Sequence, residues 1–204
     1  RATVMNTPLW VDSTLVLDPR RAVWLPVEQT LVFADLHLGY SWAHRSMGHL
    51  LPLSGPEETV ARLLAVAADY QPRRMVLLGD IIHRAVDVAP LRTLLSALLD
   101  ALGERAETIL VEGNHDAGLP ALLESCGWNG SLHREYRAGP HHLLHGDREG
   151  TLSAAERLAE ARSGGGFVVI GHEHPAVTLG DGVATRVKCP CFLLGEGLVI
   201  LQPF

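Results

Sequence analysis

Five short apolar runs in the chain each end at a group rich in His, Asp or Asn. The runs cover residues 30–34, 75–78, 108–111, 141–144 and 167–170. Apolar runs of this length, bounded by turn residues, are typical of buried strands. Segments with helical character separate most of the runs, so strands and helices alternate through the middle of the chain. This alternation predicts an α/β protein.

The other predicted elements suggest a two-sheet architecture. Helices are predicted over residues 55–70, 89–102, 120–125 and 153–162, and Pro56 followed by two glutamates is typical of a first helical turn. Short strands are predicted near both ends, over residues 14–17, 22–25, 176–179, 183–187, 191–194 and 198–201. Because strands dominate both ends, we expect two sheets packed face to face with helices outside, a layered α/β sandwich.

Length, hydropathy and charge limit the class of function. The 204 residues suit one domain, so we expect a single domain over residues 1–204 with no cap domain. No apolar stretch approaches the roughly 20 residues of a membrane-spanning helix, and the N-terminus lacks a secretory pattern, so we expect a cytoplasmic protein that does not bind membranes. The formal net charge of −6 argues against a broad basic face that grips duplex DNA.

The polar residues at the strand ends are the candidate functional residues. In open α/β sheets, ligands bind outside the carboxyl ends of the strands, where loops converge. Taken alone, Asp-x-His is usually a surface loop and Gly-Asp a turn, but five such groups at five strand ends indicate a shared metal site. The candidate ligands are Asp35, His37, Asp80, Asn114, His145, His172 and His174.

These ligand types suit a pair of divalent cations. Two cations about 3.5–4 Å apart can clamp a phosphoryl oxygen and polarise a water between them. The carboxylate of Asp80 is the natural bridge. Mixed oxygen and nitrogen ligands favour Mn²⁺, with Fe, Zn, Ni or Co as alternatives. The expected ligand sets are Asp35, His37 and His174 for one ion, and Asn114, His145 and His172 for the other.

The motifs resemble those of a known family. The signature of calcineurin-like metallophosphoesterases is similar to Asp35-Leu36-His37, Gly79-Asp80-Ile81-Ile82-His83, Gly113-Asn114-His115-Asp116, His145 and Gly171-His172-Glu173-His174. The resemblance spans residues 35–174, about two thirds of the chain. It implies a four-layer α/β/β/α sandwich and the same seven metal ligands. It also implies that His115 contacts the phosphate and protonates the leaving oxygen.

A narrower resemblance is to the SbcD nuclease branch of this family. The second motif ends in His83 rather than Asp, and Pro190-Cys191-Phe192 is similar to small SbcD-related phosphoesterases. One bacterial subgroup of these is the ligase-associated DNA damage response phosphodiesterase/endonuclease. That subgroup usually has Lys in place of Tyr40 and Leu in place of Glu173. The chain is too short for the capping and coiled-coil domains of the large nucleases, so we do not expect processive resection of duplex ends.

Some residues beside the motifs have two interpretations. His83 is either a second histidine that contacts the phosphate or a structural histidine bonded to a carbonyl. Asp116 is expected to orient His115 from behind the ligands. His141 and His142 compete with His145 for its ligand role. The segment after the first motif carries aromatic residues that either stack nucleobases or pack against the core, namely Tyr40, Trp42, His44 and His49.

The sequence thus predicts a two-metal phosphodiesterase that acts by in-line attack of metal-bound hydroxide. The expected substrates are small or cyclic nucleotide diesters or single-stranded nucleic acid, and the narrower resemblance implies a role in DNA repair. The alternatives are a phosphomonoesterase acting on nucleotides or phosphoproteins and a non-catalytic interaction scaffold. All seven ligands and His115 are present, which favours the enzyme. No sequence feature indicates an oligomeric state.

Overall fold

The computed structural model describes residues 7–49, 56–84, 89–148, 152–180 and 186–204. The strands in these ranges are β1 (Leu9–Trp10), β2 (Val16–Asp18), β3 (Ala22–Leu25), β4 (Thr30–Ala34), β5 (Arg74–Leu78), β6 (Glu107–Val111), β7 (Leu132–His133), β8 (Glu135–Ala138), β9 (His141–Leu144), β10 (Val168–Ile170), β11 (Ala176–Gly180), β12 (Arg186–Pro190), β13 (Leu193–Gly195) and β14 (Leu198–Ile200). The helices are α1 (Tyr40–Ser46), α2 (Pro56–Tyr70), α3 (Ala89–Gly103), α4 (Leu119–Ser125) and α5 (Ala154–Ser163), and a 3₁₀ turn covers Asp116–Gly118.

The first sheet has seven strands in the order β1-β2-β3-β4-β5-β6-β7. Strands β1 to β4 pair antiparallel, and β4 to β7 pair parallel. The central strands β4 and β5 are almost wholly buried, because their apolar residues pack on both faces of the sheet. The carboxyl ends of β4, β5 and β6 therefore lie at one edge of this sheet.

The second sheet has five strands in the order β13-β14-β10-β9-β8. Its central strands β9, β10 and β14 pair parallel, and the two edge strands pair antiparallel. Strands β9 and β10 are the fourth and fifth apolar runs of the sequence. Strands β11 and β12 form a separate, mostly exposed hairpin that follows the last motif.

Three apolar cores separate four layers of structure. The first core packs Phe33 and other residues of the first sheet against α2, α3 and α4. The second core lies between the two sheets and contains Val32 and Val169. The third and smallest core packs Val168 of the second sheet against Ala161 of α5. Neighbours in one strand thus enter different cores, as the alternation of strand side chains requires. The predicted fold class, two face-to-face sheets flanked by helices, is confirmed.

Most predicted elements agree with the structure to within two residues at each end. The helix predicted over residues 153–162 is α5, which begins with a capping box formed by Ser153 and Glu156. Missing from the prediction are α1, β8 and the two-residue strands β1 and β7. Residue 55 of a predicted helix and residues 183–185 of a predicted strand lie outside the described residues. Among the described helices, none is long and apolar enough to cross a bilayer.

Candidate metal centre

Five loops meet at one edge of the sandwich, where β4, β5 and β6 of the first sheet and β9 and β10 of the second sheet end. The first two loops are joined by their backbones, since the N–H groups of Asp35 and His37 donate to the carbonyls of Gly79 and Asp80 at 3.2 and 2.8 Å. The imidazole of His145 connects the two sheets. Its Nδ1 lies 3.5 Å from Asp35 Oδ1, and its Nε2 lies 3.4 Å from Asp80 Oδ1.

Asp35, His37 and His174 form a first group of side chains that can hold a metal. Their ligand atoms all lie within 4.8 Å of one another. The Nε2 atoms of His37 and His174 are 3.4 Å apart, and His174 Nε2 is 3.7 Å from Asp35 Oδ1. Asp35 is buried, whereas the side chain of His174 is 41% exposed. The group is therefore anchored in the core and open to solvent on one side.

A second group contains Asp80, His145 and His172, again with ligand atoms within 4.8 Å of one another. His172 Nδ1 lies 3.2 Å from His145 Nε2, and the amide oxygen of Asn114 lies 3.0 Å from the same nitrogen. Asp80 also reaches the first group, because its Oδ2 is 3.7 Å from His37 Nε2. The two carboxylate oxygens of Asp80 thus face different groups.

A third group, formed by His37, His83 and His115, lies on the solvent side of the other two. The Nδ1 atoms of His37 and His83 are 3.4 Å apart, and the rings of His83 and His115 stack with centroids 5.2 Å apart. The backbone N–H of His115 donates to Asp80 Oδ1 at 2.9 Å. His115 Nε2 lies 3.9 Å from Asp80 Oδ2, and 39% of its side chain is exposed.

The backbone of the metal centre is strained. Eight non-glycine residues of the described chain have positive φ, and five of them are predicted ligands with φ between 43° and 64°. Left-handed backbone costs an L-residue roughly 1–2 kcal/mol, and such residues cluster at functional sites. The five ligands are Asp35, His37, Asp80, His172 and His174.

Glycines allow these loops to approach each other. A Cβ at Gly79, whose φ is +74°, would lie 2.2 Å from His145 Nδ1. A Cβ at Gly171 would lie 2.7 Å from Asp35 Oδ2. Any side chain at either position would therefore displace a predicted ligand, which explains why a glycine directly precedes Asp80 in the second motif and His172 in the last.

Burial and mutual contact perturb the acid–base properties of these side chains. Burial raises the pKa of Asp35. Burial acts in the same direction on Asp80, but hydrogen bonds from the His145 ring and the His115 backbone outweigh it, and the pKa of Asp80 falls to about 2. Burial acts to lower the pKa of His145, but Asp80 and Asp35 together raise it. Burial lowers the pKa of His37 to about 4, so this ring is neutral at pH 7.

The donor set fits divalent cations. The positive partners that the structure shows for Asp35 and Asp80 are all histidines. Two buried carboxylates therefore surround the ring of His145 and favour a positive charge there, which can be a proton or a bound metal. Oxygen and imidazole donors without thiolate suit the first-row metals expected from the sequence.

The structure corrects the role assigned to Asp116. Its carboxylate does not orient His115 but accepts hydrogen bonds from the backbone N–H groups of Gly113, Ile81 and Ile82 at 2.9, 3.2 and 3.0 Å. The atom that contacts His115 Nδ1 is the carbonyl oxygen of His83, 2.7 Å away. Burial raises the pKa of Asp116 to about 6. Asp116 therefore ties together the loops that carry Asp80 and Asn114.

The competing histidines lie away from the metal centre. His141 is at the opposite end of β9, where its Nδ1 accepts a hydrogen bond from the Phe167 N–H at 3.2 Å. His142 Nε2 lies 3.6 Å from Glu160 of α5. Among the three histidines of this segment, the structure brings His145 to the cluster. The His83 carbonyl was missed from the sequence, because a backbone acceptor leaves no signal in residue types.

Comparison with models of protein families assigns the chain to a family. The family model for calcineurin-like phosphoesterases matches residues 29–150, more than half of the chain and four of the five loops. The chain belongs to the calcineurin-like phosphoesterase family. It is therefore a metal-dependent phosphoesterase, and the histidine and aspartate groups described above are the candidates for its divalent metals. No curated protein sequence matches the chain.

Solved structures support the fold assignment. The nuclease MPE of Pseudomonas putida has a TM-score of 0.68 and 22% sequence identity, and the match covers 96% of this chain and 85% of that chain. A protein of unknown function from Aquifex aeolicus has a TM-score of 0.42 and 19% identity, and the match covers 72% of this chain and 79% of that chain. The match to the nuclease shows the same four-layer fold.

Proposed function

We propose that the protein hydrolyses phosphodiester bonds with two divalent metal ions, Mn²⁺ before Fe, Zn, Ni or Co. The observation that carries this proposal is the orientation of Asp80. Its Oδ1 lies 3.4 Å from His145 Nε2, and its Oδ2 lies 3.7 Å from His37 Nε2. A carboxylate that bridges two cations directs one oxygen to each, and here the two oxygens face two separate groups of donors.

The proposed ligands come from loops of both sheets, so the sandwich itself sets their geometry. When bound, two such cations polarise the phosphoryl oxygens and lower the pKa of a water that attacks phosphorus. The protein holds the donors in place through left-handed backbone and through the hydrogen bonds of Asp116. Asp35, His37 and His174 would hold one ion, Asn114, His145 and His172 would hold the other, and Asp80 would hold both.

We assign the leaving-group proton to His115 and a phosphate contact to His83. The Nδ1–H of His115 donates to the carbonyl of His83 at 2.7 Å, because a carbonyl can only accept. Nε2 is then the atom nearest the metal centre, and the ring must carry a second proton there to act as an acid. His83 Nδ1 is 3.4 Å from His37 Nδ1, so a phosphate at the metal centre is within reach of its ring.

The charge of the outer imidazoles favours diesters over monoesters. Burial, with His115 acting in the same direction, lowers the pKa of His83, and the pKa of His37 is about 4. Both rings are neutral at pH 7, so the positive charge of this histidine group is the one that His115 carries as the acid. A diester carries a single negative charge, whereas a phosphomonoester is close to doubly charged at this pH. The singly charged substrate suits this environment better.

The substrates proposed are small or cyclic nucleotide diesters or single-stranded nucleic acid, with DNA repair as the setting. The fold shared with a nuclease of Pseudomonas putida supports nucleic acid as one source of the diester. A phosphomonoesterase is the second candidate, because the same donor set can bind a terminal phosphate. An interaction scaffold is a weaker candidate, since every predicted ligand lies within the cluster.

Metal-dependent hydrolysis tests the proposal. Metal-stripped protein is reloaded separately with Mn²⁺, Ni²⁺, Co²⁺, Zn²⁺ and Mg²⁺ and assayed with bis(p-nitrophenyl) phosphate and p-nitrophenyl phosphate. We expect faster turnover of the diester, with Mn²⁺ the best metal. Asp35→Asn should abolish it, and Asp69→Asn should retain it, because Asp69 pairs with Arg20 at the C-terminal end of α2, outside the cluster. Preference for the monoester would select the second candidate, and inactivity with all five metals would select the scaffold.

A further inference from the structure

A series of aromatic rings leads outward from the metal centre. The ring of His83 lies 4.7 Å from that of Tyr40, and the ring of Tyr40 lies 4.3 Å from that of His44. His49 continues the series at 5.5 Å from His44. We call Tyr40, His44, His49 and His83 the aromatic wall. Only His83 has a role in the chemistry proposed above, so the other three rings need a different explanation.

Tyr40 is the member of the wall that is available to a ligand. It is 48% exposed, which is unusual for a large aromatic side chain packed against two others. It begins α1 directly after Gly39, whose φ of 82° and close approach to Leu91 favour glycine at that position. The backbone next to Tyr40 is held in position, because the carbonyl of Leu38 accepts a hydrogen bond from the N–H of His83 at 2.9 Å.

A cavity of about 280 Å³ lies beside Tyr40 and shares two residues with the metal centre. Asp35 and His37 line the cavity on the side of the metal centre, and the other lining residues include Tyr40, Ser41, Thr59 and Phe204. Pockets for whole ligands usually measure about 300–1,000 Å³, so this one suits a single ring system. A chemical group that fills the cavity would lie next to a substrate bound at the metals.

The lining indicates an uncharged planar group. Among the described residues that line the cavity, none is Lys or Arg, and the guanidinium of Arg62 next to it lies over the ring of Phe204. The exposed ring of Tyr40 can stack on a flat ring, and the hydroxyls of Ser41 and Thr59 can pair with polar edge atoms. Phe204 closes the cavity as a buried apolar side chain that packs on Phe33. A nucleobase is a flat ring with a polar edge and fits this lining.

We propose that this cavity binds the base of a nucleoside whose phosphate lies at the metal centre, and that Tyr40 stacks on that base. The rings of His44 and His83 pack against the ring of Tyr40 and fix its orientation. Stacking on an aromatic side chain tolerates any base, because every base has a π-face. Tyr40 thus determines specificity for nucleoside-bearing diesters. The proposal rests on the proposed function, because it is the metal centre that fixes the phosphate.

Two esters with the same leaving group isolate the contribution of the base. Thymidine 5′-p-nitrophenyl phosphate and methyl p-nitrophenyl phosphate both release p-nitrophenolate and differ only in the group that stays on phosphorus. Wild-type protein should prefer the thymidine ester in kcat/KM. In Tyr40→Ala this preference should fall by about 5- to 150-fold, the range that removal of one stacking partner produces, whereas Tyr40→Phe should keep it. Trp10→Ala is the matched control, because Trp10 is 62% exposed on the edge strand β1.

Binding without turnover separates this inference from the proposed function. Calorimetry with Mn²⁺-loaded protein compares the Kd of thymidine 5′-monophosphate with that of methyl phosphate, and Tyr40→Ala should remove most of the difference. If the wild type hydrolyses neither ester, the proposed function fails, but the nucleotide still decides the base site. Equal losses on both esters in Tyr40→Ala, or an unchanged preference, would overturn the assignment. A wild type that does not prefer the thymidine group in either measurement would do the same.

Discussion

His115→Ala should separate the chemistry of bond breaking from metal binding. An alkoxide leaving group needs a proton as the bond to phosphorus breaks, whereas p-nitrophenolate hardly needs one. The variant should therefore lose far more activity on an internucleotide bond or a 2′,3′-cyclic nucleotide than on bis(p-nitrophenyl) phosphate. Metal content should survive, because the bond from His115 to Asp80 Oδ1 is donated by the backbone N–H and not by the ring.

The geometry sets the size of the effect. General acid catalysis contributes typically about 10²–10⁴-fold. Because the His83 carbonyl holds a proton on Nδ1, the neutral ring has none on Nε2, and only the doubly protonated ring can act as the acid. We therefore expect a loss of about 10²–10⁴-fold on the natural diester and less than about 10-fold on the aryl ester.

The assay is steady-state turnover of both substrates across a range of pH, with metal content measured by elemental analysis. His133→Ala is the matched control, because the ring of His133 packs on Tyr136 with centroids 5.8 Å apart, outside the cluster. Equal losses on the two substrates would refute the acid role and leave His115 as a residue that positions the phosphate. Loss of bound metal in His115→Ala would show that the ring of His115, a member of the third group, itself holds a metal.

Three further changes test other parts of the structure. Asp80→Asn should weaken both metal sites, so elemental analysis should find two ions in the wild type and at most one in the variant; two retained ions would contradict the bridge. His83→Ala should lower diester turnover with metal content near normal, but a lower Tm with full activity per folded molecule would make His83 structural. Burial lowers the pKa of His141 to about 4, so below pH 6.5 the unfolded chain binds a proton that the folded chain does not. Stability from this group is present above pH 6.5 and is lost as the pH falls towards 4. Urea unfolding at several pH values should show the wild type losing about 3 kcal/mol more than His141→Asn over this window; parallel curves would exclude the buried neutral ring.

The central strands and their loops could be predicted because the sequence pattern that identifies each of them is local. A strand buried on both faces must be continuously apolar, and the parallel pairing of β4 with β5 brings the residues after Ala34 and Leu78 to one edge. The seven predicted ligands do lie together in the structure. Their individual metal roles, and the single domain without a cap domain, stay predictions.

The elements missed from the sequence depend on contacts distant in the chain. Helix α1 has only seven residues, and its start is set by Gly39 and by the hydrogen bond between the Leu38 N–H and the Ile81 carbonyl at 2.9 Å. Strand β8 mixes charged and apolar residues, because it pairs on one edge only, with β9. The position of Asp116 was misjudged for the same reason: the backbone N–H groups of Ile81 and Ile82, in the loop after β5, donate to its carboxylate together with that of Gly113 in its own loop, and its sequence neighbour His115 does not.

Because the ligands at the strand ends have left-handed backbone, the main-chain conformation itself carries information about the metal centre. In a family member that no longer binds metal, nothing would require Asp35, His37, Asp80, His172 and His174 to stay at positive φ, and substitutions that relax them would be stabilising by about 1 kcal/mol each. In a relative, positive φ at all five positions would therefore indicate that the geometry of the metal centre is kept. Because φ is a main-chain quantity, this distinction can be made in structures too coarse to show a single imidazole.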